Sequence, residues 1–99
     1  MLVIIRFRSE DPDFHLRLQP AIDVLSGKPG FESSDLVRNI DEPDLWALVL
    51  RWTNVGSYRR ALGGYESKAI VAPLLSEALD EPSAYDEPSA HETIEAPIR

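Results

Sequence analysis

The sequence of 99 residues predicts an α+β domain with the order strand, helix, strand, strand, helix, strand. Two short runs, Leu2 to Arg8 and Leu45 to Thr53, are rich in β-branched and large apolar residues, which indicates strands. In the segments that follow them, apolar residues recur at intervals of three and four, which indicates amphipathic helices. This βαββαβ order is the plan of a ferredoxin-like domain, an antiparallel sheet with the helices on one face.

The first strand and the first helix carry the clearest patterns. Leu2 to Arg8 is apolar on both alternating faces, so we expect it to be buried on both sides. After the turn Asp11-Pro12-Asp13, one stripe of the first helix comprises Phe14, Leu18, Ile22 and Leu25. Pro20 lies inside this pattern and is expected to kink or restart the helix, because proline lacks the backbone donor.

The second strand, Phe31 to Asn39, is more polar and fits a sheet edge, whereas the third, Leu45 to Thr53, is apolar on both faces and fits the centre. Asn54 suits the N-cap of a second helix. One stripe of that helix comprises Val55, Tyr58, Leu62 and Tyr65. The pair Gly63-Gly64 is expected to break or bend it.

The end of the chain contains the five residues DEPSA twice, on either side of Tyr85. Tyr85 is the large anchor of a predicted brief fourth strand, Ser83 to Asp86. We therefore predict a ferredoxin-like domain over residues 1–87 and a disordered acidic tail containing proline over residues 88–99.

The net charge is −7, from 17 acidic and 10 basic side chains. Residues 1–79 carry 11 acidic and 9 basic side chains, so most of the excess charge belongs to residues 80–99. The chain lacks the basic footprint of a protein that binds phosphate backbones. We expect no nucleic-acid partner.

The residue inventory also excludes several chemistries. The chain has no cysteine, and its two histidines, His15 and His91, are far apart, so no metal site is predicted. No apolar run approaches the roughly 20 residues that span a bilayer, and Met1 to Phe7 lacks the basic start of a signal peptide. We expect a cytoplasmic protein with no membrane contact.

The central strands are apolar on both faces, so both faces of the sheet have to be buried. The predicted helices can bury one of them. A second copy packed sheet against sheet would bury the other face, which would otherwise be a large exposed apolar patch. We therefore expect a homodimer. Arg6, Arg8 and Arg51 lie on these strands and are expected to pair with loop or tail carboxylates, with Asp80 to Glu87 reaching the partner subunit, because an unpaired buried charge is costly.

Several segments resemble the antibiotic biosynthesis monooxygenase family. They are Pro29-Gly30-Phe31, the strand end Leu48-Val49-Leu50-Arg51-Trp52, the helix start Val55 to Leu62, and the stretch from Pro73-Leu74-Leu75 to Tyr85. The similarity covers residues 1 to about 86. It implies a dimeric α+β barrel with a ligand cleft between the sheet and the helices, and a family that includes cofactor-free oxygenases of polycyclic aromatic substrates and haem-degrading enzymes.

The resemblance does not extend to the haem-degrading branch. Those enzymes share an asparagine on the first strand, and a tryptophan and a histidine on the helical segment after strand three. Here the first strand has no asparagine, and residues 54–79 contain neither tryptophan nor histidine. This departure argues against haem degradation and favours the branch that needs no cofactor.

The cofactor-free branch implies a cleft lined by aromatic, asparagine and arginine side chains. Tyr58 and Tyr65 are the candidate catalytic residues, because their hydroxyls could bind or deprotonate a phenol-like substrate. The candidate ligand-binding residues are Trp52, Asn54, Phe31 and His15. The predicted function is cofactor-independent oxidation of an aromatic or polyketide-type small molecule.

The alternative is a non-catalytic dimeric module that binds a small molecule or supports a partner. In that case the tyrosines and tryptophans pack only in the core, as buried aromatic side chains generally do. A mainly apolar pocket of several hundred Å³ would favour the enzyme, and a cleft filled by the protein's own side chains would favour the module.

Overall fold

One antiparallel sheet of four strands organises the chain. The computed structural model describes residues 1–91, so the predicted tail lies mostly outside the described residues. The elements are β1 (Leu2–Arg8), α1 (Phe14–Ser26), β2 (Phe31–Arg38), β3 (Leu45–Trp52), α2 (Val55–Ala61), a π-helical turn (Ser67–Val71), α3 (Ala72–Leu75), β4 (Ala84–Tyr85) and a 3-10 turn (Pro88–His91). The strand order β2-β3-β1-β4 confirms the ferredoxin-like βαββαβ fold, with β2 at an edge.

The inner face of the sheet forms the core together with the helices. In the β1–β3 pair, Ile5 lies opposite Leu48 and Phe7 opposite Trp46, and directly opposed residues share a face. The buried side chains of this face are Val3, Ile5, Phe7, Trp46, Leu48, Leu50 and Trp52. Trp46 therefore belongs to the core.

The first helix packs on this face through a single apolar stripe. Its buried residues are Phe14, Leu18, Ala21 and Leu25. The helix continues from Phe14 to Ser26 through Pro20, so the predicted restart at Pro20 is wrong. Pro20 and Leu16, the residue whose carbonyl loses its partner, are both exposed, so the core contacts on the opposite stripe are undisturbed.

The second helix begins and ends where the sequence predicts. The side chain of Asn54 accepts a hydrogen bond from the backbone N–H of Ser57 at 2.9 Å, which confirms the N-cap. α2 ends at Ala61, and Gly64 adopts a φ of 87°, which confirms the break at the glycine pair. The Ser67 hydroxyl donates to the carbonyl of Ala61 across this break, so the next helical turn is tied to α2.

The outer face of the sheet is apolar at its centre, is bordered by Arg6, Arg8 and Arg51, and has no cover among the described residues. Ile4 lies opposite Val49 at its centre, and the two side chains are half-buried. Val37, on the neighbouring edge strand, is 49% exposed. The central strands are therefore apolar on both faces, as predicted, and the fold of one chain covers only one of them.

Gly30 gives a test of the packing between the start of β2 and α2. Its φ of 90° is in the left-handed region, and an added Cβ would overlap the side chain of Ser57. We expect Gly30→Ala to lower the free energy of unfolding by about 2 kcal/mol, because strain and overlap add. Urea unfolding measures the change.

Gly27→Ala is the matched control. Gly27 has a φ of −86°, and an added Cβ would come no closer than 3.6 Å to the carbonyl of Val24. This variant should be neutral or stabilising by up to about 1 kcal/mol. Equal losses in both variants would contradict the role assigned to the Gly30 conformation.

Candidate functional site

A cavity of about 130 Å³ lies between the edge of β1 and the helices α2 and α3, which follow β3. It is lined by Ile4, Ile5, Arg6, Tyr58, Leu75, Ala78, Leu79, Glu81 and Ser83. Residues 79–83 cross the edge of β1 here: the Leu79 N–H donates to the Arg6 carbonyl at 2.8 Å, and the Ile4 N–H donates to the Ser83 carbonyl at 2.7 Å. We call residues 79–83 the strap.

Tyr58 is the buried titratable group of this cavity. The side chain is 8% exposed, and its ring packs against Trp52 with 5.7 Å between the ring centroids. Burial raises the pKa of Tyr58 above its ordinary value, because the phenolate would lose hydration. At neutral pH Tyr58 is therefore a neutral phenol, suited to donate a hydrogen bond and unsuited to act as a base.

The strap is held to β1 by an ion pair at the cavity wall. Arg6 Nε donates to Glu81 Oε2 at 2.7 Å, and Arg6 Nη2 donates to Glu81 Oε1 at 2.6 Å, a bidentate geometry. These hydrogen bonds lower the pKa of Glu81 and raise that of Arg6. The cavity lining thus combines the Tyr58 phenol with a salt bridge whose two charges offset each other.

Arg6 and Arg8, on β1, form their ion pairs within one chain. Arg6 uses Glu81, and Arg8 contacts Glu42 at 2.9 Å and Asp44 at 3.2 Å. The predicted pairing of Arg6 and Arg8 with tail or loop carboxylates is thus met without a partner subunit. A crossing of residues 80–87 to that subunit stays a prediction.

Trp52 and Phe31 lie behind Tyr58 and do not line the cavity. Trp52 is completely buried, and its ring meets Phe31 edge to face with 5.4 Å between the ring centroids. Its Nε1 has no hydrogen-bond partner in the part of the chain that the structure describes. Trp52 thus fixes the position of the Tyr58 ring from the core side.

The other predicted site residues lie elsewhere. Asn54 is exposed and caps α2, the helix that carries Tyr58. It therefore affects Tyr58 only through the position of that helix. Tyr65 is 87% exposed beyond the glycine break, and it lies outside the cavity lining. His15 is exposed on α1 and lines a separate groove. The structure therefore brings one of the two candidate tyrosines to the cavity.

Sequence reasoning missed most of the cavity wall. Leu75, Ala78 and Glu81 were not candidates, although the first DEPSA copy and the charged Arg6 in an apolar strand both pointed to this edge. Beneath α1 the space is filled instead: Phe14 packs on both Phe7 and Trp46 with 5.4 Å between ring centroids.

The described residues hold neither a metal-binding cluster nor a membrane-spanning helix. Residues 1–91 contain no cluster of three or more histidine, cysteine, aspartate or glutamate side chains placed to hold a metal ion. No helix within the same range is long and apolar enough to cross a membrane.

The strand order, the helices on one face and the cavity lined by Tyr58 define an α+β domain of ferredoxin-like fold with room for a small ligand. The family model described as antibiotic biosynthesis monooxygenase matches residues 2–73. The chain belongs to the antibiotic biosynthesis monooxygenase family, as the sequence motifs predicted. A comparison with functionally curated proteins finds no match.

Solved structures share the fold at low sequence identity. SnoaB, a cofactor-independent oxygenase from Streptomyces nogalater, superposes with a TM-score of 0.71 at 19% identity, over 87% of this chain and 91% of SnoaB. A mutant of SnoaB gives a TM-score of 0.68 at 20% identity, over 79% and 82%. Rv0793 from Mycobacterium tuberculosis gives 0.61 at 24% identity, over 88% and 96%.

Glu81→Gln tests the ion pair that holds the strap. Arg6 lowers the pKa of Glu81, so the stabilisation from the ionised pair is fully present above the ordinary carboxyl range and is lost as the pH falls through the lowered pKa. At neutral pH the variant should unfold at a lower urea concentration than the unchanged protein. The difference between the two midpoints should shrink as the solution becomes strongly acidic.

Glu77→Gln provides the comparison, because Glu77 pairs with Arg17 at 2.8 Å with both side chains close to half exposed. Its effect at neutral pH should be smaller, since exposed pairs contribute little. A Glu81→Gln difference that stays constant down to acidic pH would refute the assignment of that stabilisation to the carboxylate.

Proposed function

We propose that the protein is a cofactor-independent monooxygenase-like enzyme that oxidises a small phenolic molecule in the Tyr58 cavity. The observation that carries the proposal is the buried, neutral phenol of Tyr58 at the wall of a cavity that the Arg6–Glu81 salt bridge also lines. Membership of the antibiotic biosynthesis monooxygenase family and the fold likeness to SnoaB support the reaction class.

The volume of the cavity restricts the substrate class. A cavity of about 130 Å³ is close to the roughly 150 Å³ of an apolar protein cavity that takes up benzene. It is well below the roughly 300–1,000 Å³ of pockets that enclose drug-sized ligands. The substrate is therefore a single-ring phenol or hydroquinone, and a polycyclic molecule would have to displace the strap.

The proposed chemistry uses the substrate as the electron source. A phenolate gives one electron to dioxygen, the resulting phenoxyl radical and superoxide combine to form a carbon–oxygen bond, and loss of water leaves a quinone. The overall balance is one phenol and one dioxygen to one quinone and one water. The protein has to favour the phenolate, hold it in place and exclude bulk water.

Two groups of the cavity wall match these requirements. The Arg6 guanidinium keeps Nη1 outside its two hydrogen bonds to Glu81, and a charged N–H at that nitrogen can donate to the phenolate oxygen and so favour the anion. The Tyr58 hydroxyl, being neutral, can donate a hydrogen bond to the phenolate oxygen and fix its orientation. The apolar side chains of Ile5, Leu75 and Leu79 surround the ring.

A non-catalytic module is the second candidate. The observation that favours it is the filled space under α1, where Phe7, Phe14 and Trp46 occupy the position of a wider cleft. Turnover decides between the two functions, since a module binds without consuming oxygen. The predicted cytoplasmic location is common to both proposals.

Oxygen uptake with single-ring phenols and hydroquinones tests the enzyme. We expect turnover by the pure protein, and a fall in kcat of roughly 10²-fold in Tyr58→Phe, because a single lost donor to a developing anion has about that effect. Tyr65→Phe removes a hydroxyl from an 87% exposed side chain and should stay near the unchanged protein.

Three other results of the oxygen-uptake measurements would change the proposal. No oxygen uptake with any of these compounds would favour the module. Turnover that survives Tyr58→Phe would remove Tyr58 from the reaction, and a loss confined to Tyr65→Phe would move the reaction to the surface beyond the glycine break.

We also propose that two chains associate through the outer face of the sheet. Ile4 and Val49 lie opposite each other at its centre, and Leu2 lies opposite Tyr85 at the β4 side, so the apolar surface is continuous across three strands. A patch of this kind on a small domain is typical of an interface with a second copy. The helices on the inner face would remain accessible to ligands.

Sedimentation at micromolar concentration tests this association. The unchanged protein should sediment as two chains, and Val49→Asp should sediment as one, because two carboxylates would have to be buried near the symmetry axis. Leu16→Asp is the control, since Leu16 is 61% exposed on α1 and away from the sheet. A single-chain mass for the unchanged protein would rule out the dimer.

A further inference from the structure

A second concave surface lies between α1 and the edge strand β2, and shares no residue with the Tyr58 cavity. The groove has a volume of about 600 Å³. It is lined by Pro12, His15, Gln19, Ile22, Leu36, Arg38 and Trp46. We call it the α1–β2 groove.

Trp46 lies at the base of the groove, beneath Arg38. The indole of Trp46 is 4% exposed, and its Nε1 donates to the Ser9 carbonyl at 3.1 Å, so the ring is fixed from below. The Arg38 guanidinium carbon lies 4.5 Å from the centre of a Trp46 ring, a cation–π contact. Ile22 and Leu36 add aliphatic surface on the two sides.

Arg38 differs from the arginines around it in its partners. Arg6, Arg8 and Arg17 each form a salt bridge. Arg38 Nε donates to the Pro43 carbonyl at 2.9 Å, and its guanidinium has no carboxylate partner among residues 1–91. The fork of Arg38 is therefore held in place with its two terminal nitrogens available.

The other polar groups of the groove do not neutralise this charge. His15 is exposed on the helical side and supplies a ring nitrogen. The Gln19 amide donates to Asp23 Oδ1 at 2.8 Å, and Asp23 is not among the lining residues. The groove thus presents a cation and an imidazole above an apolar floor, in a chain whose net charge is −7.

We infer that the α1–β2 groove binds an organic carboxylate with a flat apolar body, such as an aromatic acid. The carboxylate accepts two hydrogen bonds from the terminal nitrogens of Arg38, a fork that fits this planar group. The ring of the ligand lies along Ile22 and Leu36, with His15 beside it. A volume of about 600 Å³ is within the range of small-molecule pockets.

The test is a titration of the full-length protein with naphthalene-2-carboxylate, followed by ¹H–¹⁵N NMR. Binding should shift the Trp46 indole N–H and the Arg38 Nε–H. Arg38→Gln should weaken binding about threefold or more, since both hydrogen bonds of the exposed guanidinium to the carboxylate are lost. The neutral naphthalene-2-carboxamide should likewise bind more weakly to the unchanged protein, by about threefold or more.

Two further variants distinguish binding in the groove from a general effect of net charge. Arg59→Gln removes the same charge from an exposed position on α2 and should leave the affinity within twofold. Gln19→Glu adds a carboxylate to the groove wall at an exposed position, keeps the side-chain shape, and should weaken binding without unfolding the protein.

Three results would overturn the inference. They are saturation that is unaffected by both Arg38→Gln and Gln19→Glu, equal binding of the acid and the amide, and shifts confined to Ala78 and Leu79 at the Tyr58 cavity. The titration does not depend on oxygen uptake. Its result therefore tests the groove separately from the proposed enzyme activity.

Discussion

The antiparallel pairing of β1 with β3 is the constraint on which the rest of the structure depends. It aligns Val3, Ile5 and Phe7 with the large side chains of β3, which gives the helices one continuous apolar layer to cover. The same pairing brings Ile4 and Val49 together on the opposite face. Both the filled core and the apolar outer face therefore follow from one register.

That register also separates two concave surfaces. The second helical segment covers β1 and leaves the Tyr58 cavity at the β4 side, whereas α1 packs on the other side and leaves the α1–β2 groove. Phe7, Phe14 and Trp46 fill the layer under α1. The fold thus presents two concave surfaces of different chemistry, one beside the buried Tyr58 and one beside Arg38 and His15.

The strands were predictable because their alternation is strong, and Asn54 was predictable because its side chain has a defined capping role. The tyrosine assignment was not, since the glycine break changes the direction of the chain between Tyr58 and Tyr65. The cavity was hidden for another reason. Its outer wall depends on two backbone hydrogen bonds from the strap, and backbone groups leave no signature in a sequence.

The shortness of β4 has a consequence for the stability of the cavity wall. Only Ala84 and Tyr85 pair with β1, and the adjoining strap adds two backbone bonds and the Arg6–Glu81 contact. Releasing the strap therefore breaks few interactions and leaves the three remaining strands intact. The sheet edge beside the cavity should therefore open locally at a lower free-energy cost than the central strands, and that cost should respond to salt concentration through the one ion pair.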